Sequence, residues 1–305
     1  MKQFLIKITI YLLPVLFGLC FIELFLRFIP NDYKYKRQCF MEETNNIQIL
    51  VLGSSHANLG IDPNYFSLNG FNFSNISQSL DLDYELLKKY GKLLDKLEFV
   101  VIPISYFSMT SCLSKGSENW RIKNYNLYYD INMDNNSIKK HFEILNGTMF
   151  SNLYRIYSFF RNNESLITVS NRGFGLNHKA NVKNDLEETG KAAALRHTHN
   201  NNDMYIYNKN IINKIIEWCK NNNVKLIFVT FPAYYTYRNK LDNNQLNETI
   251  IYMEYIDTNY NFVYYYNLIE DNKFTEEHYF DADHLNELGA AKLTKIIDDI
   301  IVSIR

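Results

Sequence analysis

The sequence predicts an α/β protein of three layers, α/β/α, with a central parallel sheet of about five strands. Short apolar runs rich in branched residues recur along the chain, at 47–52, 99–104 and 224–230, and read as buried strands. Between them lie stretches with apolar residues at helical spacing, such as Leu86, Leu87, Tyr90, Leu93, Leu94 and Leu97. Strand, helix, strand, helix, strand in that order demands crossover connections and a parallel sheet.

In chain order, residues 4–29 come first. Ile8 to Ile22 is uncharged, and Lys7, Glu23 and Arg27 flank it. A spanning helix needs about 20 mostly apolar residues, with charges tolerated near its ends. A cleaved signal peptide is the alternative. No small-x-small cleavage site follows, and Leu19 before Cys20 departs from a lipoprotein box, so an uncleaved anchor is the expectation. Lys2 and Lys7 precede the span while Lys34, Lys36 and Arg37 follow it, so charge leaves its orientation open. Residues 30–46 are polar and read as a linker.

The first strand, 47–52, is followed by a helix or turn over 56–68, broken at Pro63. Phe71 to Ile76 alternates and reads as the second strand; a helix over 84–97 and a third strand at 99–104 follow. From about 107 to 203 the rhythm is lost in a stretch rich in Asn, Tyr and Ser. That is too long for a plain connection and predicts an inserted lid or substrate subdomain, partly helical. Arg196 and the segment 172–175 are candidates to face a substrate. The α/β pattern resumes with a helix at 207–222, a strand at 224–230, a helix at 245–258, a strand at 261–266 and a closing helix at 285–303. One domain is therefore expected over 47–305.

Composition sets bounds. The chain has 305 residues, 47% of them hydrophobic and 21% charged, enough to form a core and too apolar for disorder. The formal net charge of −1 carries no basic excess, and no nucleic acid is expected to bind. The 24 Tyr and 21 Phe suit a carbohydrate surface but also fill cores. The cysteines, Cys20, Cys39, Cys112 and Cys219, show no Cys-x-x-Cys spacing, so no zinc or redox motif is expected; a Cys39–Cys112 disulfide stays open. His197 and His199 lack further ligands at a matching spacing, and neither a metal nor a cofactor is expected.

Two stretches carry chemistry. The first strand stops abruptly at Gly53, followed by Ser54, Ser55 and His56. In an open α/β sheet such strand ends face the ligand crevice. A serine there becomes a nucleophile only if a base takes its proton. Near the other end, Asp281 stands three residues before His284. Imidazole suits the base, and a carboxylate fixes its tautomer and stabilises its cation. Ser54 as nucleophile and Asp283 as orienting acid are the alternatives. In the bland reading Ser55 is a turn residue and Asp281 or Asp283 caps the closing helix, a role Asp283 is well placed to fill. His56 is assigned a structural role, since adjacent turn residues point apart.

Together the two blocks resemble the SGNH/GDSL hydrolase superfamily, whose first block carries the nucleophile in a Gly-Asp-Ser-like turn and whose last reads Asp-x-x-His. Gly53-Ser54-Ser55-His56 running on into Gly60-Ile61-Asp62-Pro63 is closer to its membrane-anchored cell-envelope branch. The resemblance implies a flavodoxin-like fold, a triad of Ser55, His284 and Asp281, and an acyl-ester enzyme, an O-acetyltransferase or O-acetylesterase acting on an envelope polysaccharide. It also implies an extracytoplasmic domain on a single-pass bacterial inner-membrane anchor, and a membrane-bound O-acyltransferase as a partner. The superfamily's remaining oxyanion donors, a glycine after the second strand and an asparagine after the third, are missing. Ser79, through its N–H, and Ser105 are the candidate replacements. These departures fit a specialised transferase, or a glycan-binding or assembly component that kept the fold. A lipase-like role is a third option and needs an apolar groove near Ser55.

Overall fold

The computed structural model describes residues 1–133, 137–162, 166–199 and 201–305. Its helices and strands, in chain order, are α1 (Lys2–Phe28), α2 (Asp32–Glu43), β1 (Ile49–Val51), α3 (Ser55–Gly60), β2 (Gly70–Asn72), α4 (Leu80–Tyr90), β3 (Phe99–Pro103) and α5 (Ile122–Tyr128). There follow α6 (Met149–Asn162), α7 (Leu186–His197), α8 (Asn202–Asn221), β4 (Lys225–Thr230), α9 (Tyr235–Arg238), α10 (Asn243–Asn259), β5 (Val263–Asn267) and α11 (Glu287–Ile304). The residues fall into two units, one of 1–37 with 119–167 and one of 38–118 with 168–305.

The second unit holds the sheet. Five strands run parallel in the order β2-β1-β3-β4-β5, so the strand order reverses between β1 and β3. Ile49 lies opposite Gly70 on one side and Phe99 on the other, and Val101 lies opposite Ile227. Because side chains alternate along a strand, Ile49, Val51, Phe99, Val101, Ile227 and Val229 share one face and pack with Leu293, Ile297 and Ile301 of α11. Leu50, Val100, Ile102, Leu226 and Phe228 point the other way, and α8, itself packed on α4, covers β4. The central strands are buried on both faces, which is why they read as continuous apolar runs. This is the three-layer α/β/α architecture and five-strand parallel sheet expected from the sequence.

Several expectations change in detail. The stretch 30–46 is polar, yet Asp32–Glu43 is a helix. Its Phe40 is fully buried, stacked on Phe73 at 4.5 Å and edge-on to Tyr90, and Lys36 and Cys39 are buried as well, in a segment whose charges hide them. The stretch 107–203 divides: 119–167 groups with the N-terminus, whereas α7 belongs with the sheet and packs on α9. Segment 172–175 lies against β2 and α3, since the Asn72 N–H donates to Arg172 O and the Gly175 N–H to Asn58 O. Cys39 and Cys112 are free thiols, the latter beside Asp81, and the disulfide left open by the sequence is not formed. Asn286 caps α11, accepting from Leu288 and Gly289, so Asp283 is free for another task.

Candidate active site

At the end of β1 the chain must turn sharply into α3. Gly53 makes the turn at φ +115, and a Cβ there would lie 2.7 Å from the Pro103 ring. The Gly53 N–H donates to Asp83 Oδ1 at 2.8 Å, and Gln78 donates to the same oxygen. Burial pushes the Asp83 carboxyl up to about 7. Ser55 therefore sits at the first residue of a short helix, at the C-terminal edge of the sheet.

From the far end of the chain comes a turn closed by the Tyr279–Leu285 bridge and by Phe280 N–H donating to His284 O at 3.0 Å. Asp281 Oδ1 accepts from the backbone N–H of Asp283 (3.1 Å) and of His284 (2.8 Å). The three-residue spacing thus fixes the carboxylate within its own turn. His284 Nδ1 meets Asp281 Oδ1 at 3.0 Å, and His284 Nε2 meets Ser55 Oγ at 2.9 Å. With a carboxylate on Nδ1, the ring proton belongs there, and in the neutral ring Nε2 is left to accept from the serine hydroxyl. Ser55, His284 and Asp281 are brought together from opposite ends of the chain. Ser54 lines the same cavity, but Ser55 is the serine bonded to the imidazole.

Asp283, the alternative orienting acid of the sequence reading, also reaches the site. It is buried, with Oδ1 3.5 Å from His284 Nδ1 and Oδ2 3.6 Å from His56 Nε2 and 3.7 Å from both His197 Nδ1 and an Arg196 guanidinium nitrogen. Burial opposes charging His284, but the Asp283 carboxylate, joined by Asp281, overcomes it and holds the imidazolium up at about 10. Asp283 is in turn held well below the usual carboxylate range, its burial outweighed by His284. His56 and His197 are pushed down by burial, His197 to about 3. His56 Nδ1 takes Ser105 Oγ at 2.6 Å, consistent with a structural role for this histidine.

The two serines expected to serve an oxyanion fare differently. Ser105 is buried and engaged with His56. Ser79 lines the cavity, but its hydroxyl donates to Asp81 and accepts from Leu113 N–H, which leaves only its backbone N–H to consider. Ser77, also on the wall, has φ +60, the left-handed conformation that favours glycine. Sequence reasoning missed it because a serine does not announce that conformation. His178 was missed too: it stacks on Phe280 at 3.8 Å and stands edge-on to His284 at 5.4 Å. Nothing in its Asn- and Lys-rich surroundings singles it out.

The cavity is about 530 Å³ and is lined by Ser54, Ser55, Ser77, Gln78, Ser79, Phe107, Glu118, His178, Arg196, His197, His199, Asp281 and His284, among others. Among the described residues, His56, Asp283 and His284 have ligand-capable atoms within 4.8 Å of one another, and His197 and His199 do not join that group. Both nitrogens of His284 are already committed, to Ser55 and to Asp281, which disfavours it as a metal ligand.

Neither a protein-family model nor a curated protein sequence matches the chain. Solved structures similar to it include a protein of Bacteroides fragilis NCTC 9343 provisionally described as an acylhydrolase, at 12% identity and TM-score 0.44 over 89% of this chain and 96% of that one. Another is a protein of Streptococcus pneumonia provisionally described as a platelet activating factor, at 11% identity and TM-score 0.44 over 96% and 99%. A third is a GDSL-like lipase of Bacteroides thetaiotaomicron VPI-5482, at 11% identity and TM-score 0.41 over 90% and 100%.

Proposed function

We propose that this chain is a membrane-anchored acyl-ester enzyme of the SGNH/GDSL type that transfers or hydrolyses O-acyl groups, O-acetyl above all, on a cell-envelope polysaccharide. The observation that carries the reading is the continuous chain from Ser55 Oγ through His284 to Asp281, at 2.9 and 3.0 Å. Ser55 attacks the acyl carbonyl while its proton passes to His284 Nε2. The proton then goes to the departing alkoxide, leaving an acyl group on Ser55. A water or sugar hydroxyl next attacks the acyl carbonyl and gives its proton to His284, which returns it to Ser55 Oγ as the acyl group leaves the serine. Backbone N–H groups of Ser55, at the start of α3, and of Ser77 or Ser79 are the donors assigned to the oxyanion.

A glycan acceptor is supported by the polar groups on the cavity wall, Ser54, Glu118, Arg196 and His199, which stand beside apolar Leu59, Ile76, Phe107 and Leu113. Anchoring is supported by α1, which is long and apolar enough to cross a bilayer. An extracytoplasmic domain, the inner membrane and a membrane-bound acyltransferase as acyl supplier complete the proposal. The second reading, a glycan-binding component, is favoured by one observation: Ser105 is turned onto His56 instead of the cavity.

Labelling of the detergent-solubilised full chain with a fluorophosphonate probe at pH 9 to 10, where His284 gives up its proton, tests the proposal. Label is expected on the wild type and on Ser54→Ala, and none on Ser55→Ala. A folded wild type that takes no label overturns the enzyme reading in favour of the binding one.

A further inference from the structure

We propose that α6 is a second membrane contact: it lies in the headgroup boundary of the bilayer that α1 crosses, with its aromatic stripe towards the acyl chains. The proposal rests on reading α1 as the anchor.

At 100° per residue, Met149, Phe160, Leu153, Tyr157, Phe150 and Tyr154 fall in that angular order within an arc of about 140°. All six are exposed, Phe150 at 80%, Phe160 at 69% and Tyr154 at 60%. The opposite side is used inside the unit. Arg155 pairs with Glu143 at 3.0 Å, Asn152 donates to Ile144 O, and Phe159 meets Phe25 and Phe28. Among the described residues the stripe is left largely exposed, and an apolar surface of this width in water marks an interaction site.

The level of α6 along α1 identifies the partner. Residues 1–20 are exposed throughout, apart from Leu5, whose side chain is not described, and protein contact begins at Ile22 and Glu23. Phe4 to Ile22, at 1.5 Å per residue, spans roughly 28 Å, the thickness of the hydrocarbon layer. Glu23 marks the end of that layer. Its carboxylate accepts from Arg27 Nε and from the backbone N–H of Glu143 and Ile144, so the only acid within α1 is satisfied where the membrane ends. Phe25 and Phe28, within two turns beyond it, pack on Phe159 and Phe160, with the Phe25 and Phe160 rings 5.2 Å apart. The rings of α6 therefore sit at the depth where aromatic belts lie. Exposed Arg161, on the same arc and over the Tyr157 ring, presents a cation at headgroup height. Ile138 and Leu145, exposed in the turns that flank Glu143, add to the same collar.

A second copy of the chain is the competing occupant, and one experiment separates the two. The full-length protein, carrying p-benzoylphenylalanine at Phe150, Tyr154 or Phe160, is reconstituted in vesicles of phosphatidylethanolamine and phosphatidylglycerol with a radiolabelled acyl chain. Phe17 in α1 and exposed Tyr255 in α10 are the reference positions. The three α6 positions are expected to form lipid adducts at the level of Phe17 and about tenfold above Tyr255. Lipid adducts at Phe17 but none on α6 overturn the proposal and leave the anchor standing. Chain-to-chain adducts from α6 overturn it in favour of a dimer. No adducts at Phe17 either remove the anchor and the proposal together.

Discussion

Asp283 holds the proton on His284, and removing its charge should move the pH at which Ser55 becomes reactive. Asp283 Oδ1 lies 3.5 Å from His284 Nδ1. At an effective dielectric of about 20, two unit charges at that separation interact by about 5 kcal/mol, or roughly three pH units. In Asp283→Asn, His284 should fall from about 10 to near 7, with Asp281 still in place. A base must be neutral to work, so reactivity rises with pH through the His284 pKa. The wild-type rate of inactivation by a fluorophosphonate should still be climbing at pH 9. That of Asp283→Asn should level off near pH 7 to 8 and exceed the wild type at pH 7. Circular dichroism across the range checks that the variant is folded. Asp281→Asn is the contrast: it loses the acceptor that orients Nδ1–H, and its plateau should fall by about three to four orders of magnitude. An unmoved or raised limb in Asp283→Asn would refute the electrostatic account of the site. The same shift bears on stability. Protonated His284 favours the fold fully below its unfolded pKa of about 6.5, and the contribution is lost as pH rises towards 10.

Other outcomes follow from the scaffold. Gly173 has φ +84, and a Cβ there would stand 2.0 Å from the Asn72 carbonyl oxygen, so Gly173→Ala should cost about 2–4 kcal/mol in chemical denaturation. An unchanged midpoint would mean that segment 172–175 is not fixed on the β2 edge. Asp83, raised to about 7, keeps its proton in the fold where the unfolded chain has lost it, so it lowers stability as pH rises from about 4 to 7, by up to about 4 kcal/mol. Asp83→Asn should flatten that slope in denaturation series at stepped pH. A slope of the same size in the variant would place its source elsewhere.

Local signals were enough for the sheet. Strands buried on both faces must be apolar throughout, and β1, β3 and β4 therefore stand out in the sequence. The spacing of Asp281 and His284 was legible for a similar reason: a three-residue turn brings the carboxylate to its own histidine wherever the turn is placed. By contrast, α2 was hidden because its packing depends on Phe40 finding Phe71, Phe73 and Tyr90, residues distant in sequence.

The sequence by itself determined the architecture, the apolar N-terminal helix, and Ser55, Asp281 and His284 as the residues to watch, because periodicity and short turns are local properties of a chain. Only the tertiary structure decided that Asp283 is a buried second carboxylate instead of a helix cap, that Ser105 serves His56, that His178 reaches the cavity, and that the stripe on α6 lies at the level where α1 meets its first protein contacts. Those assignments depend on the depth of each group, its distance to charges far along the chain and the level of one helix against another. The fold sets these quantities, and no local pattern of residues encodes them.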